Sequence, residues 1–359
     1  MRPVRTRRAV AGVAAVVAAT LWGAVGCGPD ASAAHPTATT AAANAPRPVP
    51  PGHGSKIPYD FNGDGHRDLV LNDLVKADSH GDDAGIAVVY GSAGRGLDPG
   101  ARQILTTRRN AAPVGGKPPA TFDAEASCDL DGDGFADLIV TTDPPYNGIG
   151  RPPVPLQILF GGPGGLTGRA VVLQIPEQAR YGNDWPDHPV CGDFDGDGAT
   201  DLAVTATGGR VSFLRGPFSR TGAPRAAGAS LPGGGPVLAA PEPKADVNGD
   251  GYDDLVVRAS DAPGAASRLL LGGPKGPTRP GGRYTAPRVT APPVTPLPGS
   301  GPAPVTDVLQ LADFTGDKVP DVVVRTHRGE AKDLVTLYAG TRDGWSRSPL
   351  VGFTTAGWG

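Results

Sequence analysis

Apolar residues along this chain come in short runs separated by polar, turn-forming segments. The runs at 69–71, 86–90, 156–160 and 322–324 are bounded by Gly, Pro or Asp. Runs this short, rich in β-branched residues, read as strands. No stretch after residue 26 keeps an apolar period of 3.6 residues, so almost no helix is expected there. The strands recur in a fixed order. A first set is expected at 69–71, 138–141, 202–205, 255–258 and 322–325. A second follows at 87–91, 157–161, 211–216, 268–272 and 335–340, each ending at a Gly. A third follows in most repeats, as at 102–106 and 170–175. One more strand ahead of each first-set member makes four, and four antiparallel strands in about 60 residues form one propeller blade.

A nine-residue pattern precedes each first-set strand. The copies begin at Asp60, Asp129, Asp193, Asp246 and Asp313, so they lie 69, 64, 53 and 67 residues apart. Position three holds Asn62, Asp131, Asp195, Asn248 and Thr315. Position five holds Asp64, Asp133, Asp197, Asp250 and Asp317. Position nine holds Asp68, Asp137, Asp201, Asp254 and Asp321. Position seven varies: His66, Phe135, Ala199, Tyr252 and Val319.

This spacing suits Ca²⁺, which takes six to eight oxygens. Positions one, three, five and nine offer side-chain oxygens. Position seven offers a backbone carbonyl, so its side chain is free to vary. Gly at position six permits the sharp turn that aims these groups inward. An EF-hand loop would end on Glu at position twelve; here that position is Leu71, Val140, Val204, Val257 or Val324, none of which can ligate. The loop leads into a strand instead. Metal-free acidic turns are the rival reading, but seventeen of the 36 acidic residues fall at positions one, three, five and nine of these loops, and unpaired like charges so close repel. The fifth copy is expected to bind more weakly: Thr315 replaces a carboxylate or amide, and Lys318 replaces the turn Gly at a cost of roughly 1 kcal/mol. Up to five Ca²⁺ ions are therefore expected.

The five loops, with strands following Asp68-Leu69, Asp137-Leu138, Asp201-Leu202 and Asp254-Leu255, resemble the FG-GAP (VCBS-type) repeats that build the integrin α-subunit propeller. The resemblance covers about residues 54–359. It implies an all-β fold, a β-propeller with Ca²⁺ held between the first two strands of each blade. The integrin propeller has seven blades, whereas five loops occur here, so five four-stranded blades are expected, with repeats starting near 54, 121, 186, 238 and 305. An open arc or a six- or seven-bladed ring is the alternative.

The N-terminus reads as an export signal. Residues 2–8 hold four Arg, residues 9–23 are nearly all small or apolar, and Ala24-Val25-Gly26-Cys27 follows. The apolar run falls short of the roughly 20 residues that span a bilayer. Ala-Val-Gly-Cys resembles a bacterial lipobox, which implies removal of residues 1–26, lipidation of Cys27 and anchoring on the outer face of the cell membrane. Ala24 stands where that box usually has Leu, so a secreted soluble protein is the alternative. Residues 27–53 then form an Ala/Pro/Thr tether of roughly 25–30 Å as a flexible coil. Gly (54) and Pro (40) make about a quarter of the chain, as turn-rich β structure requires. Signal removal takes four Arg and no acid, moving the formal charge from −3 to −7, and five Ca²⁺ would bring it to +3. A near-neutral surface does not steer toward nucleic acid.

Cys128 and Cys191 remain as an even pair in an oxidising compartment. They precede consecutive loops by one and two residues, which turns them to opposite faces of their strands. A disulfide joining the second and third blades is expected, with two buried thiols as the alternative.

For function, a surface binding or adhesion module for an extracellular protein or carbohydrate is the leading expectation. Its contact loops would be 72–85, 107–120, 142–153 and 176–189, the last carrying Tyr181, Trp185 and His188. An envelope lipoprotein without specific ligand is the second reading. A hydrolase is the third and weakest. There is no Gly-x-Ser-x-Gly elbow and no His-Glu-x-x-His site, though a catalytic carboxylate pair would leave little trace.

Overall fold

The computed structural model describes residues 46–74, 85–143, 155–242, 244–262, 264–286, 292, 306–327 and 333–358. The export signal, Cys27 and most of the tether lie outside the described residues, as do 75–84 and most of the candidate loop at 142–153. Among the described residues no helix is long and apolar enough to cross a membrane.

The chain folds into successive antiparallel sheets. The first contains β1 (Leu69–Leu74), β2 (Gly85–Ser92) and β3 (Gly96–Leu105). The second contains β4 (Thr121–Cys128), β5 (Asp137–Asp143), β6 (Gln157–Leu159) and β7 (Val171–Val172). The third contains β8 (Val190–Gly192), β9 (Asp201–Ala206), β10 (Arg210–Arg215) and β11 (Ala226–Ala227). The fourth contains β12 (Val237–Ala239), β13 (Leu255–Arg258), β14 (Ser267–Leu271) and β15 (Arg279–Tyr284). The fifth joins β16 (Thr306–Ala312), β17 (Asp321–Thr326), β18 (Leu334–Tyr338) and β21 (Val351–Thr354), with a small hairpin of β19 (Gly340–Thr341) and β20 (Gly344–Trp345) inserted. Two single-turn helices, α1 (Thr107–Asn110) and α2 (Glu177–Arg180), lie in connections between sheets.

Each four-stranded sheet is a propeller blade with strands in sequence order. The first sheet departs from expectation: no described strand precedes β1, so it has three strands. The reason lies in the path of residues 46–59. Arg47 bridges to Ala101 on β3, the far edge of the sheet, and Gly52 and His53 then donate to the carbonyls of Asn62 and Gly63. Among the described residues the chain thus reaches β1 by way of its loop, and no segment pairs with the edge of β1 away from β2.

Strand alternation decides how the sheets stack. On β2, Ile86, Val88 and Tyr90 face the second sheet, packing with Leu138 and Val140, while Ala87 and Val89 face the fifth, packing with Val323 and Val335. On β5, Ile139 turns the other way, onto Leu202 and Val204 of the third sheet. On β9, Ala203 turns to Leu255 and Val257 of the fourth. Successive residues of one strand point to opposite faces, so a middle strand buried on both sides must be apolar throughout. That explains the unbroken runs in the sequence. Full burial of each such Val, Leu or Ile contributes about 1.5–3 kcal/mol. The packing order is fifth, first, second, third, fourth.

Cys128 on β4 and Cys191 on β8 are bonded to each other across the second and third sheets, with Cα atoms 6.3 Å apart.

Candidate metal loops

In the second to fifth sheets the Asp-rich loop joins the first strand to the second; in the first sheet it leads directly into β1. The backbone repeats from copy to copy. Position four is left-handed in all five loops, with φ between 67° and 80°. Position six is left-handed as well: Gly65, Gly134 and Gly251 have φ 87°, Gly198 has 85°, and Lys318 is held at 70°. The fifth loop therefore adopts the common turn with a residue that strains there.

Hydrogen bonds fix each carboxylate in a distinct way. The N–H of position six donates to Oδ2 of position one in every copy, from Gly65 to Asp60 (2.8 Å), Gly134 to Asp129 (2.9 Å), Gly198 to Asp193 (3.0 Å), Gly251 to Asp246 (3.0 Å) and Lys318 to Asp313 (2.8 Å). The N–H of position seven donates to Oδ1 of position five, at 2.8–3.3 Å. The loops thus share one turn, held by backbone donors on the carboxylates of positions one and five.

Position nine does something the sequence pattern does not reveal. All five of these Asp residues are buried, at 0 or 1% exposure. Oδ1 of each accepts the N–H of the Gly that ends or follows the next strand but one: Gly91 to Asp68, Gly161 to Asp137, Gly216 to Asp201, Gly272 to Asp254 and Gly340 to Asp321, at 2.8–3.0 Å. Oδ2 accepts the N–H of position two in four copies, from Phe61, Leu130, Val247 and Phe314. Position nine is therefore a staple between loop and strand as well as a candidate ligand. The sequence signal for it is the Gly closing each second-set strand. Burial pushes the carboxyls of Asp68, Asp137 and Asp201 up, Asp137 to about 8 and Asp201 to about 7, with neighbouring loop carboxylates adding to the shift.

Position two was also silent in the sequence reading. Phe61, Leu130, Phe194 and Phe314 are at most 1% exposed and plug the seams between consecutive sheets. Val247 is the exception at 46% exposure. Backbone bonds follow the same route across the seams: Ala136 N–H donates to Asp60 O (3.0 Å), Asp253 N–H to Asp193 O (3.0 Å), and Phe218 N–H to Leu130 O (2.7 Å). The loops are thus seams between blades as much as turns within them.

The fit to a cation can be judged from what remains unpaired. Oxygens of Asp129, Asp131 and Asp137 lie within 4.8 Å of one another, as do those of Asp193, Asp195 and Asp197. Five loop oxygens are buried without a hydrogen-bond partner: Asn62 Oδ1, Asp193 Oδ1, Asp195 Oδ1, Asp201 Oδ2 and Thr315 Oγ1. A buried polar atom left bare costs about 1–3 kcal/mol. Acceptor oxygens converging without donors are what a hard cation satisfies. The residues of the first three loops fit such an ion best. In the fourth loop Asp246, Asn248 and Asp250 keep the same turn but are more exposed.

Stacked antiparallel sheets, four of them four-stranded, with an oxygen-rich loop leading into a middle or first strand of each, define a repeat-built β-propeller. Residues 129–204 match the FG-GAP-like repeat family and residues 244–271 match the FG-GAP repeat family, so the chain carries FG-GAP repeats. Such repeats form propellers that are generally non-catalytic. No curated protein sequence matches the chain.

Proposed function

We propose that this chain is a calcium-loaded, exported propeller that acts as a non-catalytic binding or adhesion module for an extracellular protein or glycan. The supporting observation is the set of bare, buried oxygens inside loops of one shared geometry. Calcium in these loops would discharge their repulsion and hold each loop in its turn. At a Kd of about 10⁻⁴ M and 1 mM free calcium, each filled site stabilises the fold by about 1.4 kcal/mol.

The topology supports one rim as the binding face. Second-to-third strand turns and sheet-to-sheet connections fall on the rim opposite the metal loops. The connection 176–189 lies there and presents Tyr181, 54% exposed, with the Arg210 guanidinium 4.9 Å from its ring centre. An exposed aromatic braced by a cation suits a sugar face or a protein side chain. The basic, apolar N-terminal segment ending at Cys27 supports export, with anchoring through a lipid on Cys27 and a tether beyond it.

Calorimetric titration of the chelator-stripped protein with CaCl₂ tests the metal reading, and magnesium serves as control. Failure to take up calcium at millimolar concentration overturns it. A glycan array and a cell-wall pulldown with the calcium-loaded protein test the binding reading, which Tyr181→Ala should weaken.

A further inference from the structure

The position-five carboxylates divide the loops into two groups. Oδ1 of each accepts the position-seven N–H, whereas Oδ2 takes no backbone N–H and is the oxygen less committed to the turn. In the second, third and fourth loops an arginine already holds it. Arg220 donates from Nη2 to Asp133, Arg225 to Asp197, and Arg279 to Asp250 at 2.8 Å. Position three is gripped too: Arg220 Nε lies 2.7 Å from Asp131 Oδ2, and Arg215 Nε 3.0 Å from Asp195 Oδ2. Among the described residues no arginine reaches positions three or five of the first or fifth loop. There, Asp64 Oδ2 accepts only the loop's own Asn62 amide (2.9 Å).

The two loops richest in carboxylates take the most grips, while the first and fifth loops, with three carboxylates like the fourth, take none among the described residues. The second and third loops carry carboxylates at four ligand positions and receive two grips each. The fourth carries three and receives one. Arg220 is the clearest case, because one guanidinium spans Oδ2 of both position three and position five, and Asp131 is also one of the three clustered carboxylates of that loop. The arginine is also borrowed. Arg220 sits on the β10–β11 connection of the third sheet and closes on the loop of the second, its guanidinium 5.1 Å from the Phe160 ring centre.

We propose that Arg220 is a built-in competitor for the cation of the second loop, and that Arg225 and Arg279 do the same in the third and fourth. This rests on the calcium reading above. Calcium would enter the second loop only as Arg220 swings out, so uncontested and contested sites should fill at different concentrations. Arg220 is more than half exposed, so its grip is modest, and its removal should tighten one site about fivefold. Lysine keeps the charge but not the two-pronged grip.

The experiment is calorimetric titration of the full chain with CaCl₂ for the native protein, Arg220→Ala, Arg220→Lys and Asp133→Ala. Expected results are one site tightened about fivefold in Arg220→Ala, a smaller tightening in Arg220→Lys, and one site lost or strongly weakened in Asp133→Ala. An Arg220→Ala protein with unchanged or weaker sites overturns the competitor. An Arg220→Lys protein that binds like the native one also overturns it, because charge alone would then be at work. If Asp133→Ala takes up calcium like the native protein, the calcium reading of that loop falls first.

Discussion

Asp137→Ala removes a carboxylate that is fully buried and accepts two backbone N–H groups, from Leu130 at 2.8 Å and Gly161 at 2.9 Å. Alanine leaves both donors buried without acceptors. Each such group costs about 1–3 kcal/mol, so the substitution should destabilise by about 3–4 kcal/mol. The burial cost of the carboxyl itself, visible in its rise to about 8, offsets part of the loss and keeps the figure below the upper sum. The cost should persist with calcium removed, because the two bonds need no metal. The assay is urea unfolding of native protein and variant, each in EDTA and in calcium. At about 2.1 cal/mol/K per residue over the roughly 270 described residues, the same loss lowers Tm by about 6 °C. A difference under about 1 kcal/mol in EDTA refutes the staple and makes position nine a metal ligand alone.

Further outcomes follow from the same geometry. Phe194→Ala should cost about 3–5 kcal/mol by emptying the seam between the third and fourth sheets, whereas Val247→Ala, at an exposed equivalent position, should cost under about 0.5 kcal/mol in the same unfolding assay. Reduction of the Cys128–Cys191 bond, which closes a 63-residue separation, should cost about 4 kcal/mol, read as a lowered melting temperature in dithiothreitol; an unchanged melt argues against a bond. Lys318→Gly relieves a left-handed φ of 70° and should stabilise by up to about 1 kcal/mol, with a tighter fifth calcium site; destabilisation would mean that the lysine side chain contributes there.

The sequence by itself determined the local events. Asp and Gly at fixed offsets dictate a turn with left-handed residues at positions four and six, because the backbone there admits little else. Alternating burial on both faces requires continuous apolar strands, so the runs at 86–90 and 202–204 announced sheets packed on two sides. What only the tertiary structure decided are meetings between residues far apart in the chain. In the first sheet Arg47 bridges to Ala101, 54 residues on, at the far edge from β1. Arg220 meets Asp133 across 87 residues, and Gly161 meets Asp137 across a whole hairpin. Short-range spacing encodes backbone geometry, because φ and ψ are set by neighbours. Which guanidinium, N–H or aromatic ring arrives opposite a given oxygen is set by how sheets stack, and no local pattern carries that information.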